Sequence, residues 1–471
     1  MVLPQLLAAR ARHMYRVVIV LVSFLMLGAL MIGPDVFSYT KVYMEKESDY
    51  NRTGQQKPNF RVYNESEKNW LISAMAIGTL IGMYPFNWLF SRYGARFVLF
   101  GAGLLSAVTS CLVPTCLDWS LTAGVLIRIL QGISYAADFS VVGLVVSRWA
   151  PASETAIFLA ILSSFTVVKS ALQIPVADVM LVPYGWRSIY YAMAAIALAA
   201  SFIWLCLYRD DPAESWASAA EVEHITLGKP LAHQRRIRPP YRKILTNVST
   251  HAMWVAAFID TTTSIMLMIY TVTYLNKLGY THTEAGYFTA LSGYAFIIFK
   301  IIGGIISDRK WCCSERNKIR IYSFLSLVVP AALLAVICLT SSNTAIVVLI
   351  CAFQGFVGLN VGGFYKGGVL TSGPYAFFVL GQIQLFKSIS VLVEPLLLNL
   401  LAPDDTLPEW HVYFYVHVSL MVVGFLVYAP LVRAEPAAYV TEAIEAEEEE
   451  AGGGGGYSDD GHREKASVEK L

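Results

Sequence analysis

The sequence predicts an all-α, polytopic membrane protein with twelve transmembrane helices in two six-helix bundles, and three observations predict it. Of the 471 residues, 56% are hydrophobic and only 15% charged, and mean hydropathy is positive, whereas a soluble chain this long carries far more polar surface. Apolar runs of roughly 20 residues, the length that crosses ~30 Å of hydrocarbon as a helix, recur about twelve times. A polar segment then splits these runs into two sets of six. Backbone groups left unsatisfied in lipid exclude an open sheet, so the runs are helices.

The predicted spans are 17–40, 69–90, 97–116, 120–147, 155–179 and 188–208, then 251–275, 284–306, 319–340, 344–366, 376–401 and 411–432. They divide the chain into an N-terminal segment 1–16, a bundle 17–208 containing the long loop 41–68, a linker 209–250, a second bundle 251–432 and an acidic, Gly-rich tail 433–471 that is expected to be disordered. The first run has a basic flank but is long and lacks a small-residue cleavage site, so it reads as a retained helix.

Lys and Arg in short loops set the orientation. Arg10, Arg12 and Arg16, Arg92 and Arg96, Arg235, Arg236, Arg238, Arg242 and Lys243, and Arg309, Lys310, Arg316, Lys318 and Arg320 all fall on the side of the two termini, which is therefore expected to be cytosolic. The loop 41–68 holds six basic residues on the other side. That loop also carries the glycosylation patterns "NRT" at Asn51 and "NES" at Asn64, which suit a lumenal or extracellular location. A third match, "NVS" at Asn247, falls on the cytosolic side and reads as chance. The seven cysteines show no metal spacing, and only Cys312 and Cys313, in a basic juxtamembrane loop, suggest palmitoylation. There is no nucleotide-binding loop, metal-ligand cluster or nucleophile constellation, so neither a pump nor a membrane enzyme is expected, nor a cofactor, a metal or a nucleic-acid partner. A monomer is the expected state.

Ionisable residues inside a span cost roughly 3 kcal/mol at its centre and normally face the protein interior or a cavity. Here they are Asp35, Arg128, Asp138, Lys169, Asp178, Asp260, Lys300, Lys387 and Glu394. Asp178 lies near a helix end, and Lys300 is near enough to the cytosol to snorkel. On the fourth span Arg128, Gln131, Tyr135 and Asp138 fall in a sector of about 80° over about 15 Å of helix, a single polar stripe. A guanidinium there either pairs with an acid as a structural bridge or binds an anion through its planar fork. Lys387 and Glu394, seven residues apart, share a face of the eleventh span.

Two loops repeat between the halves, "NWLFSRYGAR" from Asn87 to Arg96 and "GGIISDRK" from Gly303 to Lys310. Both resemble the signature loop of the major facilitator superfamily, roughly G-x-L-x-D-R-x-G-R. The first keeps Arg92, Gly94 and Arg96 but has Asn87 at the glycine and Ser91 at the acid, whereas the second keeps Gly304, Asp308 and Arg309. "RILQG", "WAPASE", "GWRSIYY", "DDPAES", "PPYRKILTN", "TYLNKLGYTHTEAGYFTAL", "GGFYKGG" and "EWHVYF" then follow in order along the hydrophobic part of the chain. In kind and order they resemble the anion:cation symporter family.

That resemblance implies an alternating-access carrier of a small organic anion or phosphate, driven by protons, sodium or membrane potential, in the plasma membrane or an intracellular vesicle or lysosome. It places Arg128 at a family Arg of "R-x-L-x-G-x-x-E-G", while Tyr135 stands where the family has the acid linked to proton coupling and Gln131 where some members have Glu. Asp138 is one turn from that acid. Asp35 stands in a helix where members often have Arg, Asp260 aligns with an Arg of some members, and Lys169 with a Gly. Substrate contact is therefore expected at Arg128, Gln131, Tyr135, Lys169 and Lys387, and ion coupling at Asp138, Asp260 and Asp35. Lys169 and Lys387 could equally be salt-bridged to Asp35 or Asp260. The rival readings are a receptor or scaffold that kept the fold and lost transport, and a channel.

Overall fold

The computed structural model describes residues 14–53, 63–227, 229, 239–310, 313–442 and 445. The described residues are helical throughout their ordered elements, with no strand among them. Eleven helical stretches are long and apolar enough to cross a membrane, and one of them, Asn343–Leu401, is 59 residues long. A continuous helix of that length reaches ~90 Å at 1.5 Å per residue. It is in fact folded back at Gly373–Tyr375, where Gly373 takes φ 51°, so the chain crosses twelve times.

The first three spans are Tyr15–Thr53, Glu65–Tyr93 and Ala95–Trp119. The fourth is broken into Leu121–Tyr135 and Asp138–Trp149, and the fifth into Thr155–Ser163 and Phe165–Tyr184. Trp186–Leu207, Val248–Lys277 and His282–Asp308 are the sixth to eighth. The ninth runs from Glu315–Ser323 through a π turn to Val329–Leu339, and the tenth from Asn343–Val357 through a 3-10 turn, Gly358–Gly362, to Phe364–Ser372. Ala376–Leu401 and Leu407–Leu431 complete the second bundle. Large apolar side chains such as Leu25, Ile81, Phe97, Leu126 and Leu426 stay exposed on the outer surface, as lipid-facing groups must.

Helix starts follow capping chemistry. Asn64, Thr281 and Thr406 each form a capping box with a Glu three residues on. Asn247 accepts from the Thr250 N–H at 3.1 Å, which gives its glycosylation-like sequence a structural role as a helix cap. The first helix continues to Thr53, well beyond the expected end near residue 40, because nothing between breaks the helical pattern. The linker contributes a short helix, Ala219–Thr226, whose buried Glu221 accepts the backbone N–H groups of Tyr15 and Arg16 at 2.8 and 3.0 Å and so caps the first span. The expectation of a disordered tail fails for its first part. Ala437, Tyr439 and Val440 are buried, the Ala437 N–H donates to the Thr371 carbonyl at 2.9 Å, and Glu442 pairs with Lys243. The basic stretch 230–238, Cys312 and, of the remaining tail, residues 443–444 and 446–471 lie outside the described residues, as do the side chains of Asn51 and Asp178.

Candidate functional site

The fourth span breaks at Ala136 and Ala137, and its second half begins at Asp138. A buried carboxylate at a helix N-terminus meets the positive end of the helix dipole and the free backbone donors there, and the Phe139 N–H donates to Asp138. The tenth span, its counterpart in the other half, breaks at Gly358–Gly362 and carries Asn360. Interrupted helices at corresponding positions of two repeats are where transporters place their binding centres.

The polar centre lies where the fourth and eleventh spans meet. Lys387 crosses between bundles, donating to the Tyr135 hydroxyl and sitting 5.1 Å from its ring centroid. With the Gln384 amide assigned so that its nitrogen faces the acid, it donates to both Asp138 oxygens at 3.1 Å. Tyr135, Asp138, Gln384 and Lys387 thus form one cluster drawn from both bundles. Lys387 also interacts electrostatically with Asp138, Lys169 and Lys300, which makes it the hub of the charged interior. Sequence reasoning found three members of this cluster and missed Gln384, although its spacing of three from Lys387 puts both on one helical face.

The polar stripe of the fourth span does not act as one unit. Arg128 is buried and turned into its own bundle, donating to the Leu71 and Pro34 carbonyls at 3.1 and 2.6 Å and to Gln131 Oε1 at 2.9 Å, with the Phe37 ring 4.9 Å away. A fourth donor faces Met75 sulfur at 3.7 Å. No acid within 4 Å pairs with Arg128 among the described residues, so the expected alternative of an acidic bridge is not what holds it. Gln131 is held in turn by Ser110, to which it donates at 3.3 Å.

Lys169 and Asp35 form an ion pair between the fifth and first spans, the salt-bridge alternative open from sequence. Asp260 accepts from Asn360 at 3.0 Å, and Lys300 is its electrostatic partner. Lys300 does not snorkel. It is 3% exposed, with the Phe296 and Tyr365 rings 4.6 and 5.8 Å from its ammonium, because the inner face of the eighth span points at the bundle interface and not at the membrane surface. Asn360 and Lys300 were therefore missed as site residues. The signal for Asn360 was its place inside a glycine-interrupted span, "GLNVGG".

The signature loops lie on the face that bears both termini, and that face is closed. Asp308 caps the fifth span from the opposite bundle, accepting the Ala156 and Ile157 N–H groups at 3.1 and 2.9 Å while Lys366 approaches it at 3.0 Å. Gly304 lets the same helices touch, since a Cβ there would stand 3.0 Å from the Ala156 carbonyl oxygen. Arg309 ends the eighth span, and its carbonyl accepts from Lys318 at 2.8 Å. In the first loop the acid is missing, and the Ser91 hydroxyl merely donates to its own helix at Trp88. Arg92 lies over Trp88 and Tyr93, and Arg96 donates to the Leu205 carbonyl. Gly94, at φ 77°, makes room for Asp210, which accepts from the Ala95 N–H at 2.7 Å. Between the fourth and eleventh spans, Gly143 allows a backbone approach that a Cβ would block, 2.4 Å from the Ala376 carbonyl oxygen.

A family model described as Major Facilitator Superfamily matches residues 18–393. The chain belongs to the Major Facilitator Superfamily. It is similar to human sialin, 24% identical over 399 residues that cover 82% of this chain and 78% of that protein. It is also similar to Xenopus laevis vesicular glutamate transporter 1, 22% identical with 80% and 68% covered, and to mouse sodium-dependent phosphate transport protein 3, 23% identical with 79% of each covered. The proton:xylose symporter XylE shares the fold at TM-score 0.66 and 15% identity over 92% of this chain and 98% of that one, and the E. coli fucose:proton symporter FucP at 0.63 and 13% over 88% and 98%. This superfamily member is a multi-pass membrane protein and a secondary active transporter, not an enzyme, that moves a solute with a coupling ion. A receptor or scaffold that has lost transport is not favoured by these relatives.

Proposed function

We propose that this chain is a proton-coupled symporter of a small organic anion, acting as a monomer in a vesicular or lysosomal membrane with both termini cytosolic and Asn51 and Asn64 on the lumenal side. The observation that carries the reading is Lys387: a cation from one bundle, bonded to Tyr135 of the other and set beside the fully buried Asp138. Opening the closed face separates the fourth and eleventh spans, so Lys387 must exchange the Tyr135 and Asp138 side for another anionic partner. A carboxylate or phosphate of the solute supplies one, and a proton on Asp138 compensates the charge that Lys387 leaves behind.

In this reading Arg128 and Gln131 shape and polarise the N-bundle wall, and Lys169 contacts the anion when its pair with Asp35 opens. Asp260, whose Oδ1 is buried without a donor, is a second coupling acid, since protonation would relieve a buried charge that, among the described residues, the Asn360 amide alone hydrogen-bonds. The coupling ion in this reading is a proton, taken up at the buried carboxyls of Asp138 and Asp260. The relatives' names, a vesicular glutamate transporter and a sodium-dependent phosphate transporter among them, define the solute panel. Uptake into liposomes holding the purified protein, with proton, sodium or potential gradients imposed singly, tests the reading. Proton-driven accumulation that Asp138→Asn abolishes supports it, and sodium-driven uptake indifferent to Asp138 refutes it.

A further inference from the structure

Within the second bundle, remote from the inter-bundle cluster in its contacts, lies a titratable pair that the transport reading does not use. Glu394 on the eleventh span and His417 on the twelfth are both fully buried, with His417 Nε2 3.6 Å from Glu394 Oε2. The Tyr413 hydroxyl donates to that same oxygen, and Thr263 on the seventh span meets His417 Nδ1 at 3.3 Å. Glu394 Oε1 and His417 Nε2 have no hydrogen-bond partner. Tyr270 is the remaining titratable neighbour, its ring 6.3 Å from that of Tyr413 and its phenol within electrostatic reach of Glu394. No Lys or Arg pairs with Glu394 among the described residues.

The charge balance is restrictive. With a neutral imidazole and an ionised carboxylate the pair is net negative inside hydrocarbon, a costly state. One added proton makes it neutral, either as imidazole beside carboxylic acid or as imidazolium beside carboxylate, and closes the gap at Nε2. A second proton makes it net positive. The pair therefore has one favoured occupancy, and it has a polar route to the centre. Lys387, Ser390 and Glu394 share one face of the eleventh span, and the Ser390 hydroxyl meets that of Thr262 at 2.7 Å, beside Thr263 and two residues from Asp260.

We propose that Glu394 and His417 form a proton-binding site of their own, holding one proton between them in the closed arrangement and exchanging it with water through the Ser390 and Thr262 hydroxyls toward the Lys387 centre. Loading takes one proton from water and turns a net negative pair neutral; unloading returns it, and no other bond is made or broken. The solute plays no part in that equilibrium, so the site stands whether or not uptake proves to be proton-driven.

The test is infrared difference spectroscopy of the full chain in liposomes, recorded as the pH is stepped over a wide range. The expected result is a pH-dependent signal of the pair, a carboxyl band or an imidazolium band with a shifted carboxylate band, that grows on acidification, is lost or altered in Glu394→Gln, shifts its midpoint in His417→Asn and survives Asp138→Asn. Tyr413→Phe leaves the pair in place but removes a donor that favours the charged carboxylate, so proton affinity rises by about three- to tenfold. This milder variant keeps the proposal testable if Glu394→Gln fails to fold. Spectra of Glu394→Gln that superimpose on those of the parent over the whole range overturn the proposal, as does a midpoint unmoved in both His417→Asn and Tyr413→Phe.

Discussion

Asp308 holds the two bundles together at the face that carries the termini, and the cost of removing it can be worked from its contacts. Its carboxylate satisfies two free donors at the N-terminus of the fifth span and pairs with Lys366, all at 2.9 to 3.1 Å and nearly out of contact with solvent, 7% exposed at the side chain. A lost helix cap costs about 1 kcal/mol, and a carboxylate at a partly buried helix N-terminus up to ~2 kcal/mol more. Lys366 keeps a second partner in Glu315 at 3.3 Å, so the cation adds little to the loss. Asp308→Ala should therefore weaken the closed arrangement by roughly 2–3 kcal/mol, about 30- to 150-fold in the closed-to-open ratio at 1.4 kcal/mol per tenfold. A reporter is available at Ala160, which is fully buried against Gly304. With the seven native cysteines replaced by alanine, a cysteine at Ala160 should react with a membrane-impermeant maleimide from the terminal side far faster in Asp308→Ala, and only modestly faster in Asp308→Asn. Equal labelling rates in all three proteins would mean that the Asp308 cap does not govern closure.

Gly143→Leu places a side chain where the Ala376 backbone runs, so it should favour the opened face and raise labelling of the same reporter without touching any charged group. Breaking the Lys169 pair by Asp35→Asn should destabilise the fold by less than the roughly 3–5 kcal/mol typical of a fully buried pair, because Asp35 is 26% exposed, and the swap Asp35→Lys with Lys169→Asp should recover most of the loss in thermal unfolding. On the opposite face, Lys277 and then Trp410 Nε1 donate to Asp405 and hold its carboxyl below the usual range. A depressed carboxylate contributes stability above its unfolded value and loses it as pH falls through the folded one, so this contact should persist at a pH of about 5 and fade only below the ordinary carboxylate range. Because the pair is exposed, Asp405→Asn should cost no more than about 1 kcal/mol, and a thermal unfolding series against pH reads it.

The fold was legible because lipid imposes it: apolar length, loop charge and a divided chain leave few alternatives to twelve helices. The broken spans were less so. Nothing in "SYAAD" forbids a continuous helix by propensity, since Ala is the best helix former, and the break follows instead from Asp138 needing a helix N-terminus around it once it is buried. Periodicity found the face carrying Arg128, Gln131, Tyr135 and Asp138, but one face can serve two purposes. Arg128 turns to carbonyls of its own bundle, while Tyr135 and Asp138 turn to the other. Which neighbour a buried polar group meets depends on helices distant in sequence. For that reason Gln384, Asn360 and the pairing of Lys300 with Asp260 emerged only in three dimensions. The failed expectation for Lys300 has the same origin, because its depth along the helix suggested snorkelling while its rotation about the helix placed it inside.

The central claim is that a cation shared between bundles and a buried acid beside it couple anion movement to protons. The measurement that addresses it most directly is uptake into proteoliposomes under an imposed proton gradient at zero membrane potential, comparing the parent protein with Lys387→Ala and Asp138→Asn. The account predicts gradient-driven accumulation of an organic anion by the parent, loss of anion binding in Lys387→Ala, and exchange without gradient-driven accumulation in Asp138→Asn. Full accumulation by both variants would contradict it.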